Sequence, residues 1–262
     1  MSFKVVITMN NRPPSEITLN VIRDAGLEVE YVKCATENEV ITAAQGADVL
    51  LVGTVPHTTR RVLEALPNLK MVGRSGVGVD SVDLDAATEL GICVTNTPGI
   101  NTSEVADHAM AMLLSITRKI PEQSAALKSG AWSDRPQEVE KLRGQLRRIA
   151  GTTVGIFGLG SIGKAFAIRV RGFGPEKIIA HDPYVPQTTA DLFGVQLVDF
   201  DTLLAESDFI TVHSPATVET NHIFNIDAFR KMKSSAIFIN CARGPLVDET
   251  GLQEALETGE II

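Results

Sequence analysis

Short runs of Val, Ile and Leu recur along the first hundred residues, separated by stretches with helical spacing of apolar positions. The runs predict strands at Val5–Met9, Leu27–Val32, Val49–Gly53, Met71–Arg74 and Ile92–Asn96. The stretches between them predict helices at Glu16–Ala25, Glu37–Gln45, Thr58–Leu66 and Leu84–Leu90. Short strands alternating with helices are βα units, and such units build a parallel sheet. Residues 1–100 therefore read as one small α/β domain.

From Ser103 to Arg118 the sequence is apolar almost all round a helix, which predicts burial at a domain or subunit boundary. Pro121 to Ala150 is polar, carries the single Trp132, and reads as an excursion. The strand–helix alternation then resumes, with strands predicted at Thr153–Phe157, Lys177–His181, Val195–Val198, Phe209–His213 and Ala236–Asn240. Residues 101–262 thus read as a second domain with a doubly wound sheet, whose ligands sit at the carboxyl ends of its strands.

Composition narrows the function. The formal net charge of −8 offers no cationic face for a phosphate backbone, so a nucleic-acid partner is not expected. Arg143, Arg147 and Arg148 read as a solvated helix face. Cys34, Cys93 and Cys241 are far apart and form no Cys-x-x-Cys, which predicts a reducing, cytoplasmic setting without disulfides or a metal site. Met1 to Thr8 runs straight into strand-like sequence, with no cleavage site, and no apolar run reaches membrane-spanning length, so no membrane partner is expected.

One loop carries specific chemistry. Directly after Val154-Gly-Ile-Phe157 comes Gly158-Leu159-Gly160-Ser161-Ile162-Gly163, and a helical pattern follows it. Gly158 permits a tight turn, Gly160 lets backbone approach a pyrophosphate, and Gly163 lets helix pack on strand. The helix N-terminus then presents free N–H groups to the phosphates. At the end of the next strand stands Asp182, a carboxylate able to take hydrogen bonds from an adenosine ribose and to repel the extra phosphate of NADP. A glycine-rich turn with a helix-capping Asp is the plainer alternative. Strand, loop, helix and acid in this order favour a dinucleotide site, with NAD as the cofactor.

A second constellation follows the strand Ala236–Asn240: Cys241-Ala242-Arg243-Gly244-Pro-Leu-Val-Asp248-Glu249. An Arg at the carboxyl end of a parallel strand can grip a carboxylate with its planar fork. Taken alone, it would as readily form an interdomain salt bridge.

These motifs together, with Gly76-Val-Gly78-Val-Asp80, Asn96-Thr-Pro98-Gly99 and Val212-His213-Ser-Pro215 followed by Thr220, resemble the NAD-dependent D-isomer-specific 2-hydroxyacid dehydrogenases. The similarity runs over essentially the whole chain. It implies two Rossmann-like or flavodoxin-like domains, the first binding substrate and the second NAD. It implies that Ser75, Gly76, Val77 and Gly78 form a loop whose amides hold the substrate carboxylate. Arg243 matches the catalytic arginine that holds this carboxylate and polarises the 2-oxo group. The stretch His213 to Thr220, with His213, Pro215 and Thr220 as its motif residues, matches the cofactor side, and Cys241, Ala242 and Arg243 follow the strand flanking the nicotinamide. The resemblance also implies a homodimer, with the Ser103–Arg118 helix at its interface.

Two departures matter. The family's acid/base glutamate and histidine match positions past Ile262, together with the last strands and the return helix of the first domain. None of His57, His108, His181, His213 or His222 matches the missing donor, so the chain as it stands is expected to bind NADH and turn over poorly. Where many phosphoglycerate dehydrogenases carry an Arg after the third strand, this chain reads Val52-Gly-Thr-Val55. That points to a small unphosphorylated 2-oxo acid such as glyoxylate or hydroxypyruvate. Two other functions remain open: a non-catalytic NAD(H)-responsive interaction protein resembling the C-terminal binding proteins, and a cofactor-binding remnant without chemistry.

Overall fold

The structure is a computed structural model that describes residues 3–10 and 13–262; Met1, Ser2, Asn11 and Arg12 lie outside the described residues. It divides into two compact units, Met1–Asn101 and Thr102–Ile262.

In the first unit, β1 (Lys4–Thr8), α1 (Glu16–Asp24), β2 (Glu28–Tyr31), α2 (Glu37–Ala43) and β3 (Val49–Val52) lead into α3 (Arg60–Glu64), β4 (Met71–Arg74), α4 (Leu84–Glu89) and β5 (Cys93–Thr95). The strands form one parallel sheet in the order β2-β1-β3-β4-β5, a flavodoxin-like arrangement. Its register sets Val6, Leu50, Val72 and Val94 side by side, and the first three are fully buried. Side chains start the helices: Ser15 accepts from the Thr18 amide, Thr36 and Glu39 form a reciprocal capping box, and Asp83 accepts from Ala86.

The second unit opens with α5 (Thr102–Arg118), α6 (Ile120–Lys128), α7 (Ala131–Asp134) and α8 (Pro136–Gly144). Then come β6 (Thr153–Phe157), α9 (Ser161–Arg171), β7 (Lys177–His181), α10 (Gln187–Asp191), β8 (Gln196–Leu197) and α11 (Phe200–Glu206). The unit closes with β9 (Phe209–Val212), α12 (Ile226–Lys231), β10 (Ile237–Asn240), a 3-10 turn (Gly244–Leu246) and α13 (Glu249–Thr258). The sheet order is β10-β9-β6-β7-β8, all parallel. The order reverses between β6 and β9, whose last residues Phe157 and Val212 are register partners. Connections leave these neighbours toward opposite faces, which opens a crevice at their carboxyl ends.

Two local expectations need correction and one gains detail. The Ser103–Arg118 segment buries one stripe, Ala106, Ala109, Met110, Leu113 and Thr117, rather than all of its surface. That spacing is an amphipathic helix, and the stripe joins Phe166, Ala167 and Val170 of α9 in one core. The polar segment after it is three short helices, two of them begun by Pro121 and Pro136 in their first turns. Of the three arginines assigned to one helix face, only Arg143 lies in a helix, beside Glu140 and over the Trp132 ring. Arg147 and Arg148 follow α8 and line, with Arg118 and Phe173, a concavity of about 380 Å³. Among the described residues, no helix is long and apolar enough to cross a membrane.

Candidate cofactor cleft and active-site loops

The chain leaves β6 through three glycines that are required for three different reasons. Gly158 has φ 92°, and a Cβ there would stand 2.8 Å from the Ser214 nitrogen. A Cβ on Gly163, in the first turn of α9, would overlap the Gly158 carbonyl oxygen. Gly160 is different: a Cβ there would meet nothing within 4 Å, so the open space faces outward from the protein. Gly160 is also the N-cap of α9 and supplies no capping side chain. The first-turn amides of Ser161, Ile162 and Gly163 therefore face solvent or ligand, with the positive end of the helix dipole behind them. A pyrophosphate fits such a place.

Asp182 stands beside this turn at the end of β7. Its Oδ2 accepts the Leu159 amide at 2.8 Å, and its Oδ1 accepts the Tyr184 amide at 3.0 Å. The carboxylate is thus fixed by backbone on both sides while still lining a cleft of about 260 Å³. The cleft contains Gly158, Gly160, Asp182, His213, Pro215 and Thr220 of the sequence-predicted set. Leu159 is fully buried, and its amide is engaged by Asp182. Cys241, Ala242 and Arg243 follow β10 and do not line this cleft.

The cleft is also lined by Phe157, His181, Pro183, Tyr184 and Ile223, which the sequence reading did not name as site residues, and by Ser214, Thr217 and Glu219, which lie inside the His213 to Thr220 stretch it gave to the cofactor side. Tyr184 was legible, since it follows Asp182 by two residues; Glu219 fell within the assigned stretch, but nothing local singles it out there. The Tyr184 hydroxyl donates to Glu219 Oε2 at 3.2 Å. In the same turn as Glu219, Thr220 Oγ1 donates to the Pro215 carbonyl at 2.9 Å and accepts the Thr217 amide at 2.8 Å, which fixes that turn. His213 Nε2 lies 3.0 Å from Thr211 Oγ1. Burial lowers the His213 pKa to about 4, so the imidazole is neutral near pH 7 and adds no cation to the cleft.

Beyond β10, the Asn240 side chain closes the loop that carries Arg243. Its Oδ1 accepts the Ala242 amide at 2.9 Å, and its Nδ2 donates to the Arg243 carbonyl at 2.8 Å. The half-buried Arg243 also donates from Nη1 to the Ala242 carbonyl at 2.8 Å. Cys241 turns the other way, its thiol 3.7 Å from the Met112 sulfur, and burial pushes that thiol's pKa up.

In the first unit, Ser75 to Gly78 follows β4. The Ser75 amide donates to Val52 O and the Gly76 amide to Arg74 O, both at 2.9 Å. Only Val77 and Gly78 then keep amides without a partner among the described residues. The loop is braced from β5 by Asn96 Nδ2, which donates to the Val77 carbonyl at 2.7 Å. Gly76 has φ 146°, and a Cβ there would run into the Arg74 guanidinium. That guanidinium reaches across to Thr54 Oγ1 at 3.0 Å.

Comparisons with known proteins agree with this geometry. Residues 110–262 match the family model described as "D-isomer specific 2-hydroxyacid dehydrogenase, NAD binding domain". The chain is 42% identical over 250 residues to a D-3-phosphoglycerate dehydrogenase of Archaeoglobus fulgidus, an alignment covering 95% of this chain and 46% of that protein. The chain thus spans about half the length of the curated relatives it matches. Among solved structures, it is similar to the apo D-lactate dehydrogenase of Escherichia coli, with TM-score 0.79, 32% identity, and coverage of 99% of this chain and 80% of that one. It is also similar to an NAD-dependent formate dehydrogenase of Staphylococcus aureus in complex with NAD, with TM-score 0.86, 29% identity, and coverage of 99% and 79%. The glycine turn, the pinned Asp182 and these matches over nearly all of its length place the chain in the D-isomer-specific 2-hydroxyacid dehydrogenase family.

Proposed function

We propose that the chain interconverts a small 2-oxo acid and a D-2-hydroxy acid, using NAD(H) held in the second unit. The observation that carries this reading is the Gly158–Gly163 turn at an uncapped helix N-terminus, beside a carboxylate fixed by the Leu159 and Tyr184 amides. The cofactor supplies the hydride. The protein's part is to bind, orient and polarise.

The pyrophosphate is assigned to the amides of Ser161, Ile162 and Gly163, and the adenosine ribose to Asp182. His213, Pro215 and Thr220 are assigned to the cleft wall, and Cys241 and Ala242 to the nicotinamide side. Arg243 is assigned to the substrate, where its planar fork can hold a carboxylate and polarise the 2-oxo oxygen. In residues 1–100, assigned as the substrate-binding domain, the amides of Val77 and Gly78 are the donors for the substrate carboxylate. No proton donor is assigned among the five histidines; His213 is neutral, and His181 Nδ1 lies 3.0 Å from the Val198 carbonyl oxygen.

The substrate class follows from the end of β3. Val52–Val55 carries no cation of its own, which favours glyoxylate or hydroxypyruvate. A phosphorylated acid is the second reading, supported by the Arg74 guanidinium lying at Thr54 and by relatives named D-3-phosphoglycerate dehydrogenase. NADH oxidation measured with glyoxylate, hydroxypyruvate and 3-phosphohydroxypyruvate tests both. Faster turnover of the phosphorylated acid would replace the first reading by the second. NADH binding without turnover of any 2-oxo acid would favour a non-catalytic, NAD(H)-responsive role.

We assign the arm α6–α8 to contact with a second copy of the chain. Ile120, Leu127 and Trp132 are exposed along it, an apolar set that a homodimer would cover.

A further inference from the structure

We infer that Glu219 is a second charge-selecting residue of the dinucleotide cleft, acting with Asp182 to refuse an adenosine 2′-phosphate. The inference rests on the assignment of this cleft to NAD(H).

Glu219 and Asp182 come from two separate turns, one after β9 and one after β7, yet both line the same cleft. Tyr184 joins them. Its amide donates to Asp182 Oδ1 at 3.0 Å, and its hydroxyl donates to Glu219 Oε2 at 3.2 Å. The phenol responds to both acids: the hydrogen bond to Glu219 raises its pKa, and the Asp182 charge adds to the rise. The Glu219 turn is fixed from within, since Thr217 and Thr220 exchange amide-to-hydroxyl bonds of 2.8 Å and 3.3 Å on either side of it.

Among the described residues, no Lys or Arg lines the cleft; of its two histidines, His213 is kept neutral near pH 7 by burial, and His181 Nδ1 lies 3.0 Å from the Val198 carbonyl oxygen. Two carboxylates therefore stand there without a Lys or Arg in the wall to compensate them. A ribose diol only donates hydrogen bonds to them, whereas a 2′-phosphate meets both as like charge. Asp182 sits at the end of β7, where family reasoning looks for the ribose partner. Glu219 adds a charge from the turn after β9, and the Tyr184 phenol ties that charge to the cleft.

The test is titration of the whole chain with NADH and NADPH, followed by nicotinamide fluorescence, for the wild type, Glu219→Gln and Tyr184→Phe. Gln keeps an acceptor for the Tyr184 hydroxyl and loses only the charge. Glu219→Gln is expected to narrow the NADPH-to-NADH ratio of Kd values by roughly fivefold at low salt, about 1 kcal/mol. Most of that difference should vanish in about 0.5 M salt, where charges are screened within a few ångströms. Tyr184→Phe, which keeps the charge, should move the ratio by less than about twofold. An unchanged ratio in Glu219→Gln overturns the inference and leaves the NAD(H) assignment standing. Equal, salt-independent weakening of both cofactors would make Glu219 a tether only and also overturns it. If the wild type binds neither cofactor, both readings fall.

Discussion

Asn240 donates from its carboxamide to the carbonyl of Arg243 at 2.8 Å, closing the loop that holds the arginine at the end of β10. The spacing Asn-x-x-Arg is therefore a geometric unit: one side chain satisfies two backbone groups and sets where the other begins. Asn240→Ala should lower kcat/KM for a 2-oxo acid by about tenfold or more, because small misplacements of a binding group are costly. Arg243→Lys loses the planar fork and should lower it by about 10²–10³-fold. A wild-type kcat/KM in Asn240→Ala would show that the loop holds its shape without the carboxamide.

The glycines of the cofactor turn should separate folding from binding. Gly163→Ala places a methyl on the Gly158 carbonyl and is expected to cost about 1–3 kcal/mol of stability, seen as a lower Tm. Gly160→Ala meets nothing within the protein and should stay within about 1 kcal/mol of wild type. It should nevertheless weaken NADH binding by about tenfold or more, since its methyl points into the space assigned to the pyrophosphate. Similar Tm losses in the two variants would contradict this division.

Acid should expose the buried imidazole. Unfolded, a histidine takes up its proton near 6.5, whereas His213 in the fold does so near 4. Between those values the unfolded chain binds more protons, so stability rises with pH across the window and is complete above it. Acidification from pH 7 to pH 4 should remove at most about 3 kcal/mol through this one group. Urea midpoints for wild type and His213→Gln, measured from pH 4 to pH 7.5, isolate it, because carboxylates titrate in both. Parallel profiles would mean that His213 is far less buried than described.

The apolar arm makes an assembly prediction. If Leu127, which is 64% exposed, is covered by a second copy, Leu127→Glu should shift sedimentation from dimer to monomer at micromolar concentration. A wild type that is already monomeric there would remove the assignment.

Much of this was legible in the sequence because the signals are local. The strands Lys4–Thr8 and Thr153–Phe157 are buried on both faces beyond their first residues, and such strands announce themselves as unbroken apolar stretches. The glycine turn and Asp182 were legible for the same reason, as a strand end, a turn and the next strand end. The helices α6–α8 were not, because their sequence is polar and their buried residues are single, such as Ala131 and Val139. The sequence sets Ser75–Gly78 just after a strand, but not which of its amides are already engaged. Ser75 and Gly76 direct their amides to Val52 and Arg74, which only the register of neighbouring strands reveals. The Arg74 guanidinium at Thr54 was invisible for a similar reason: 20 residues separate the partners, and the sheet brings them together.

The bond between Asp182 and the Leu159 amide has a consequence for how the cofactor arrives. Two turns from adjacent strands are cross-linked by the protein's own atoms, one the turn assigned to the phosphates and the other carrying the acid assigned to the ribose. The conformational entropy of aligning them was lost when the domain folded, so an incoming dinucleotide displaces water from a shape that already exists. Its association rate should then be set by diffusion and by its own flexibility rather than by any rearrangement of these turns.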